Sequence, residues 1–211
     1  TCYSVKANSN VSLLSLLGDM GAGMDIVSGG ELYRALKAGV PGQRIVYSGV
    51  GKREQEIREA LEADILMFNV ESTQELERIN EIAGSMGKTA RISLRINPDV
   101  DPKTHPYIST GLKENKFGLD MEQSLETYAT AKAMDHIEPI GIDCHIGSQL
   151  TQIDPFLEAL DKILDFRNKL KEKGIGIQYL DLGGGLGITY NEEDPPHPAQ
   201  FGEALTKALK D

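Results

Sequence analysis

GMDIVSGGELYRALKAGVPGQRIVYSG, residues 23–49, decides the fold. It opens on a short β-branched run, GMDIVS (23–28), and closes on another, RIVYSG (44–49). Between them, GGELYRALKAG sets Leu32, Ala35 and Leu36 on one helical face, with Gly39 as the C-terminal stop. Strand, helix and strand at this spacing read as a βαβ unit, and such units build parallel sheets.

The same rhythm runs outward in both directions. Further strands are expected at CYSVKA (2–7), ILMFNV (65–70), RISLRIN (91–97), IGIDCHIG (140–147) and YLDLGG (179–184). Amphipathic helices are expected over 11–21, 53–63, 72–87 and 154–174. Ser72 followed by Glu75 reads as a capping box, and Asp154 before Pro155 as an N-cap and first helical residue. Seven strands joined by crossover helices allow an open doubly wound sheet or a barrel. The strands are short and even, and nothing in the alternation marks a reversal of strand order. The expectation is an α/β fold, a TIM-type (β/α)8 barrel with about seven of its eight strands in this chain. Residues 1–211 form one domain, which starts inside a strand and ends inside a helix at KALKD, and so is expected to be truncated at both ends. A barrel carries its site at the C-terminal ends of its strands. The long connection NPDVDPKTHPYISTGLKENKFGLDMEQS (97–124) lies on that side, where long loops tend to serve function.

Composition narrows the partners. Hydrophobic content of 40% and charged content of 26% suit a globular core. A net charge of −10 argues against nucleic acid and against an anionic membrane surface, both of which need clustered Lys and Arg. No apolar run reaches the ~18 residues of a spanning helix, and the N-terminus has no signal-peptide pattern. Cys2 and Cys144 make neither a disulfide framework nor a metal ladder, which fits a reduced, cytoplasmic protein.

Polar residues gather at the expected strand ends. Lys6 ends the first strand, Asp25 lies inside the second, and Arg95 ends the fifth. His145, Gly147 and Ser148 end the sixth, and Gly183, Gly184 and Gly185 the seventh. Three glycines at a strand end let the backbone approach a ligand and can form an anion nest, although a plain βα turn would use them too. The stretch is neither a Walker A loop nor a GxGxxG fingerprint. Ser148 would add a donor, and the His145 ring could stack on a flat cofactor. A lysine in a partly desolvated barrel mouth loses its charge more easily and attacks carbonyls. Asp25 needs a partner within an apolar strand, Lys6 or Arg95, as a structural bridge or to hold the lysine. A nucleophilic lysine, a phosphate cradle and a stacking ring together describe pyridoxal 5′-phosphate.

The motifs YSVKAN, GAGMDIVSGGEL, FNVES, LRINPD, KENKFG, HIGSQ and LDLGGGLG follow one another across the whole chain. In that order and spacing the sequence resembles the fold-type III pyridoxal-phosphate decarboxylases. HIGSQ and GMDIVSGGEL point to the diaminopimelate branch over the ornithine and arginine branches. The resemblance implies that Lys6 is the Schiff-base lysine, with Asp25 near it, and that His145 stacks on the cofactor ring. It implies Ser148 and the backbone of Gly183, Gly184 and Gly185 as phosphate contacts, Arg95 on the cofactor side of the barrel, and a structural role for Lys116 and Phe117. It also implies a small amino-acid substrate, meso-diaminopimelate, decarboxylated to L-lysine by a homodimer.

In the family, the acid that holds the pyridine nitrogen and the substrate-binding residues come from an eighth strand and a C-terminal β-domain. Neither is in this sequence, so the 211 residues alone are expected to be inactive. The rival readings are a decarboxylase of arginine, ornithine or carboxynorspermidine, the alanine-racemase branch, a non-catalytic cofactor-binding barrel, and a phosphosugar-binding barrel.

Overall fold

A computed structural model describes residues 1–101 and 117–210. The elements alternate: β1 (Cys2–Ser4), α1 (Val11–Asp19), β2 (Gly23–Ile26), α2 (Gly29–Lys37), β3 (Ile45–Tyr47), α3 (Glu54–Glu62), β4 (Met67–Val70), α4 (Thr73–Ser85), β5 (Ala90–Arg95), α5 (Met121–Ala133), β6 (Ile137–Asp143), α6 (Asp154–Glu172), β7 (Tyr179–Asp181) and α7 (Pro198–Ala208). Among the described residues the strands form one seven-stranded sheet in the order β1-β2-β3-β4-β5-β6-β7. The registered pairs from β1 to β5 are parallel. A doubly wound sheet reverses its strand order partway across. This sheet does not, so the topology is that of seven βα units of a (β/α)8 barrel.

Two compact units divide the chain: Thr1–Leu94 with Ala129–Gly141, and Arg95–Tyr128 with Ile142–Asp211. In the first unit the strands alternate cleanly. Met24, Ile26, Ile45, Tyr47, Phe68, Val70, Ile92 and Leu94 are buried to within 1%. Their neighbours Asp25, Asn69 and Ser93 point to the opposite face, because successive side chains on a strand alternate. That opposite face is mixed: Val46 and Met67 pack there in an apolar cluster with Ile140, while Asp25, Asn69 and Ser93 put polar groups where barrel interiors ordinarily carry bulky branched residues. In the second unit Val100, Ile146, Leu150, Phe156 and Ala159 form a cluster on which Phe201 and Leu205 pack. The Phe156 and Phe201 rings meet edge to face, with centroids 4.7 Å apart.

Local chemistry explains where the elements stop, and in three places departs from the expectation. The first strand ends at Ser4, not at residue 7, and Val5–Ala7 form a 3-10 turn. Asn10 then caps α1, accepting from the N–H groups of Ser12 (2.9 Å) and Leu13 (3.4 Å). Ser72 caps α4 through the Glu75 N–H at 3.2 Å. The capping box is only half formed, however. One Glu75 carboxylate oxygen accepts from Lys52 Nζ at 2.6 Å and the other from the Glu71 N–H at 2.8 Å, so neither returns to Ser72. Asp154 is the first helical residue of α6 and not its cap; Ile153 precedes it without a side-chain cap bond. A carboxylate within the first turn still faces the positive end of the helix. The stops at Gly39 and Gly174 stand as expected, with φ of 86° and 72° in the left-handed region. The connection over 97–124 falls largely outside the described residues, as does Lys116.

Candidate cofactor site

In the first unit Lys6 lies on the 3-10 turn, two residues beyond the end of β1, and it is exposed. The sequence reading put it at a strand end in a desolvated mouth. Only its place just after β1 is kept. Asp25 stands in β2 in register with Ser4 and is half-buried. The expected ion pair with Lys6 is not what holds it. Ser4 Oγ donates to Asp25 Oδ2 at 2.9 Å and Ser48 Oγ donates to Oδ1 at 2.6 Å, so each oxygen takes a serine.

These two bonds belong to a longer run. Asn69 Nδ2 donates to Ser48 Oγ at 3.1 Å, and Ser93 Oγ donates to Asn69 Oδ1. The five side chains belong to β1, β2, the residue after β3, β4 and β5, one per neighbouring strand. Asn69 and Ser93 are 1% and 0% exposed, so their polar groups have no recourse to water. A second buried group sits beside the run. Lys52, its side chain 1% exposed, donates to the carbonyls of Gly49 and Asn69 at 2.7 Å each and to Glu75 at 2.6 Å. Its ammonium also lies 5.8 Å from the Tyr47 ring centroid. Burial, helped by the charge of Glu56, pushes the Tyr47 phenol far up. Glu56 is drawn down to about 2, chiefly by its bond to Arg53 and further by the Gly29 N–H that opens α2, against the opposing effect of burial.

The second unit builds its polar end from backbone. The stretch after β6 and the stretch after β7 run side by side. Cys144 N–H donates to the Asp181 carbonyl, Leu150 N–H to that of Gly185 and Gly187 N–H to that of Leu150, each at 2.8 Å. Gln149, at a φ of 57°, folds its amide onto Ile188: its Oε1 accepts the Ile188 N–H at 3.0 Å and its Nε2 donates to the Ile188 carbonyl. The glycines make this approach feasible. A Cβ on Gly183 would stand 2.7 Å from His145 Nδ1, and one on Gly185 would overlap the Gly147 carbonyl oxygen. A Cβ on Gly184 would meet nothing within 4 Å. The structure thus brings His145, Ser148 and the three glycines together as the strand-end reading expects, although all of them lie past their strands. The Gly183 N–H is already taken by Asp181 Oδ1 at 3.0 Å. The N–H groups of Gly184 and Gly185 meet no acceptor among the described residues. His145 is half-buried and Ser148 exposed. Burial first, then the charges of Asp143 and Asp181, push the Cys144 thiol well up, so it stays protonated. Arg95, half-buried at the end of β5, stacks its guanidinium over Phe117, 5.4 Å from the ring centroid.

Sequence reasoning missed Ser4, Ser48, Asn69, Ser93, Lys52 and Gln149. A signal existed for three of them. Asn69 in ILMFNV, Ser48 in RIVYSG and Ser93 in RISLRIN are small polar residues next to apolar strand residues, as Asp25 is in GMDIVS.

Within the second unit the open glycine turn, with the Gly184 and Gly185 N–H groups beside the Ser148 hydroxyl and the His145 imidazole, has the donors that suit an anionic group such as a phosphate. The chain belongs to the family of pyridoxal-dependent decarboxylases and forms its pyridoxal-binding domain, whose model matches residues 1–211. It is 55% identical over 210 residues to the diaminopimelate decarboxylase of Aquifex aeolicus, covering 99% of this chain and 50% of that protein. The Haemophilus influenzae diaminopimelate decarboxylase is 54% identical over 209 residues, with 99% and 50% covered. In structure it matches the Helicobacter pylori diaminopimelate decarboxylase complexed with L-lysine, with a TM-score of 0.94 at 49% identity, covering 99% of this chain and 53% of that one. The chain spans about half the length of the curated relatives it matches.

Proposed function

We propose that this chain is the cofactor-holding domain of a diaminopimelate decarboxylase, which releases one carboxylate of meso-2,6-diaminopimelate as carbon dioxide and leaves L-lysine. The observation that carries the reading is 55% identity to a protein of that name over 99% of this chain.

When bound, pyridoxal phosphate draws off the electron pair left on the α-carbon as carbon dioxide departs. Lys6 supplies the amine that holds the aldehyde carbon; on an exposed turn it is reached without opening the backbone. Asp25 keeps lone pairs beyond those used by Ser4 and Ser48, and these suit a protonated nitrogen. In the second unit the N–H groups of Gly184 and Gly185 and the Ser148 hydroxyl are donors for the phosphate. The His145 ring, set by the close passage of Gly183, offers a flat face for stacking. Arg95 adds a positive charge on that unit.

The working form is a cytoplasmic homodimer. This rests on the family resemblance. Among the described residues no helix is long and apolar enough to cross a membrane.

Two measurements test the reading. Borohydride reduction of the protein loaded with pyridoxal phosphate, followed by peptide mass mapping, is expected to leave the cofactor on Lys6; a label elsewhere refutes its role. Carbon dioxide release by the whole protein is expected from meso-diaminopimelate, and not from arginine, ornithine or carboxynorspermidine. The 211 residues alone are expected to give no turnover, and turnover by them would refute the proposed division of labour.

A further inference from the structure

The polar run through the first unit has a direction. A carboxylate only accepts hydrogen bonds. The Ser48 hydrogen therefore goes to Asp25, and the Ser48 oxygen can only receive, from Asn69 Nδ2. That turns Asn69 Oδ1 toward Ser93, which must donate to it. Each hydrogen bond that links the run is donated toward Asp25, and Ser4 adds one from the other side. The amide in the middle rules out a proton relay, because a side-chain amide does not pass protons as hydroxyls and water do. The run orients; it does not conduct.

Such a layer is expensive to bury. Asn69 and Ser93 are inside the sheet, where an apolar pair would be the more stable filling. Breaking a packing rule of this kind is characteristic of functional sites. Lys52 clamps the backbone carbonyls of Gly49 and Asn69, the residue after Ser48 and Asn69 itself, so the run is held from the main chain as well. We infer that Ser48 and Asn69 are positioning residues: they fix the orientation of the Asp25 carboxylate, and through it the grip of the Lys6 end of the domain on its cofactor. This rests on the function proposed above, and it assigns a role to side chains that act through Asp25.

The test uses the whole protein containing this chain, with the variants Ser48→Ala, Ser48→Thr and Asn69→Asp. Borohydride is expected to fix pyridoxal phosphate on Lys6 in every variant. In Ser48→Ala the apoprotein should bind pyridoxal phosphate about tenfold more weakly and kcat should fall about tenfold, the worth of one hydrogen bond to a charged group, with KM for the substrate little moved. Ser48→Thr keeps the hydroxyl on the same carbon and should restore both. Asn69→Asp has the same size but cannot donate to Ser48, and should resemble Ser48→Ala. Unchanged cofactor affinity and kcat in Ser48→Ala, with only the melting temperature lowered, would overturn the positioning role while leaving the Lys6 reading intact. Failure of Ser48→Thr to rescue would overturn it too. No fixation on Lys6 in the parent protein would overturn both.

Discussion

The two units reach a polar strand-end region by opposite means. The first assembles it from side chains: Ser4, Asp25, Ser48, Asn69 and Ser93 hand hydrogen bonds from strand to strand, and Lys52 ties the backbone beside them. The second assembles it from main chain: the stretches after β6 and β7 pair through backbone bonds, and glycine lets them touch. A network of side chains is broken by deleting one member. A pair of backbone stretches is broken by adding one atom.

The largest effect is therefore expected from a single methyl group. Gly185→Ala places a Cβ on the Gly147 carbonyl oxygen at a φ of 103°, and should destabilise the domain by about 3 kcal/mol or more, read by chemical denaturation. A cost within error would show that the stretches after β6 and β7 do not depend on their contact.

In the first unit the matching experiment is a deletion. Lys52→Met should cost about 3 kcal/mol, because it leaves Glu75 and two carbonyls without their buried donor. If Lys52→Met proves as stable as the parent, the network is not held through its clamp.

Acid should weaken the first unit through Glu56. Its carboxyl is lowered to about 2, so between the ordinary value of 4.5 and 2 the unfolded chain binds the extra proton. The stabilisation is complete above pH ~4.5 and drains away as pH falls toward 2, on the order of 2 kcal/mol after allowing for the exposed Arg53 partner. Glu56→Gln should flatten that part of the stability curve, and an unchanged slope would assign the acid sensitivity elsewhere.

The smallest stability effect sharpens the comparison most. Gly184→Ala fills open space without a positive φ and should move stability by no more than about 0.5 kcal/mol. The same methyl should nonetheless weaken binding of pyridoxal phosphate, measured by dialysis, if the open side of the turn is where the phosphate sits. Unchanged affinity would place the phosphate elsewhere.

Much of this was legible in the sequence because its physics is local. The period-2 and period-3.6 patterns of residues 23–49 mark a βαβ unit without any partner in view, and Gly39 and Gly174 mark helix ends through a conformation few other residues adopt. The glycine run after β7 could be read as a close approach for the same reason. Lys6 was misplaced by two residues, because a short strand and a 3-10 turn look alike when only Val5 is buried. Asp25 was noticed and its partners were not. Serine and asparagine are common in any loop, and only the pairing of neighbouring strands brings Ser4 beside Asp25 and Asn69 beside Ser93, with Ser48 linking the two pairs through its hydrogen bonds.

By itself the amino-acid sequence determined the alternation of elements, the barrel topology and the residue types at the strand ends, since periodicity, capping and backbone conformation act over a few residues. Only the tertiary structure decided which oxygen meets which hydrogen: that Asp25 is held by serines and not by a lysine, that Glu75 turns to Lys52 and not back to Ser72, and that one of three adjacent glycines faces open space. Hydrogen bonds act over about 3 Å, and the pairs that make these belong to segments some twenty residues apart, so no reading of neighbours along the chain contains them.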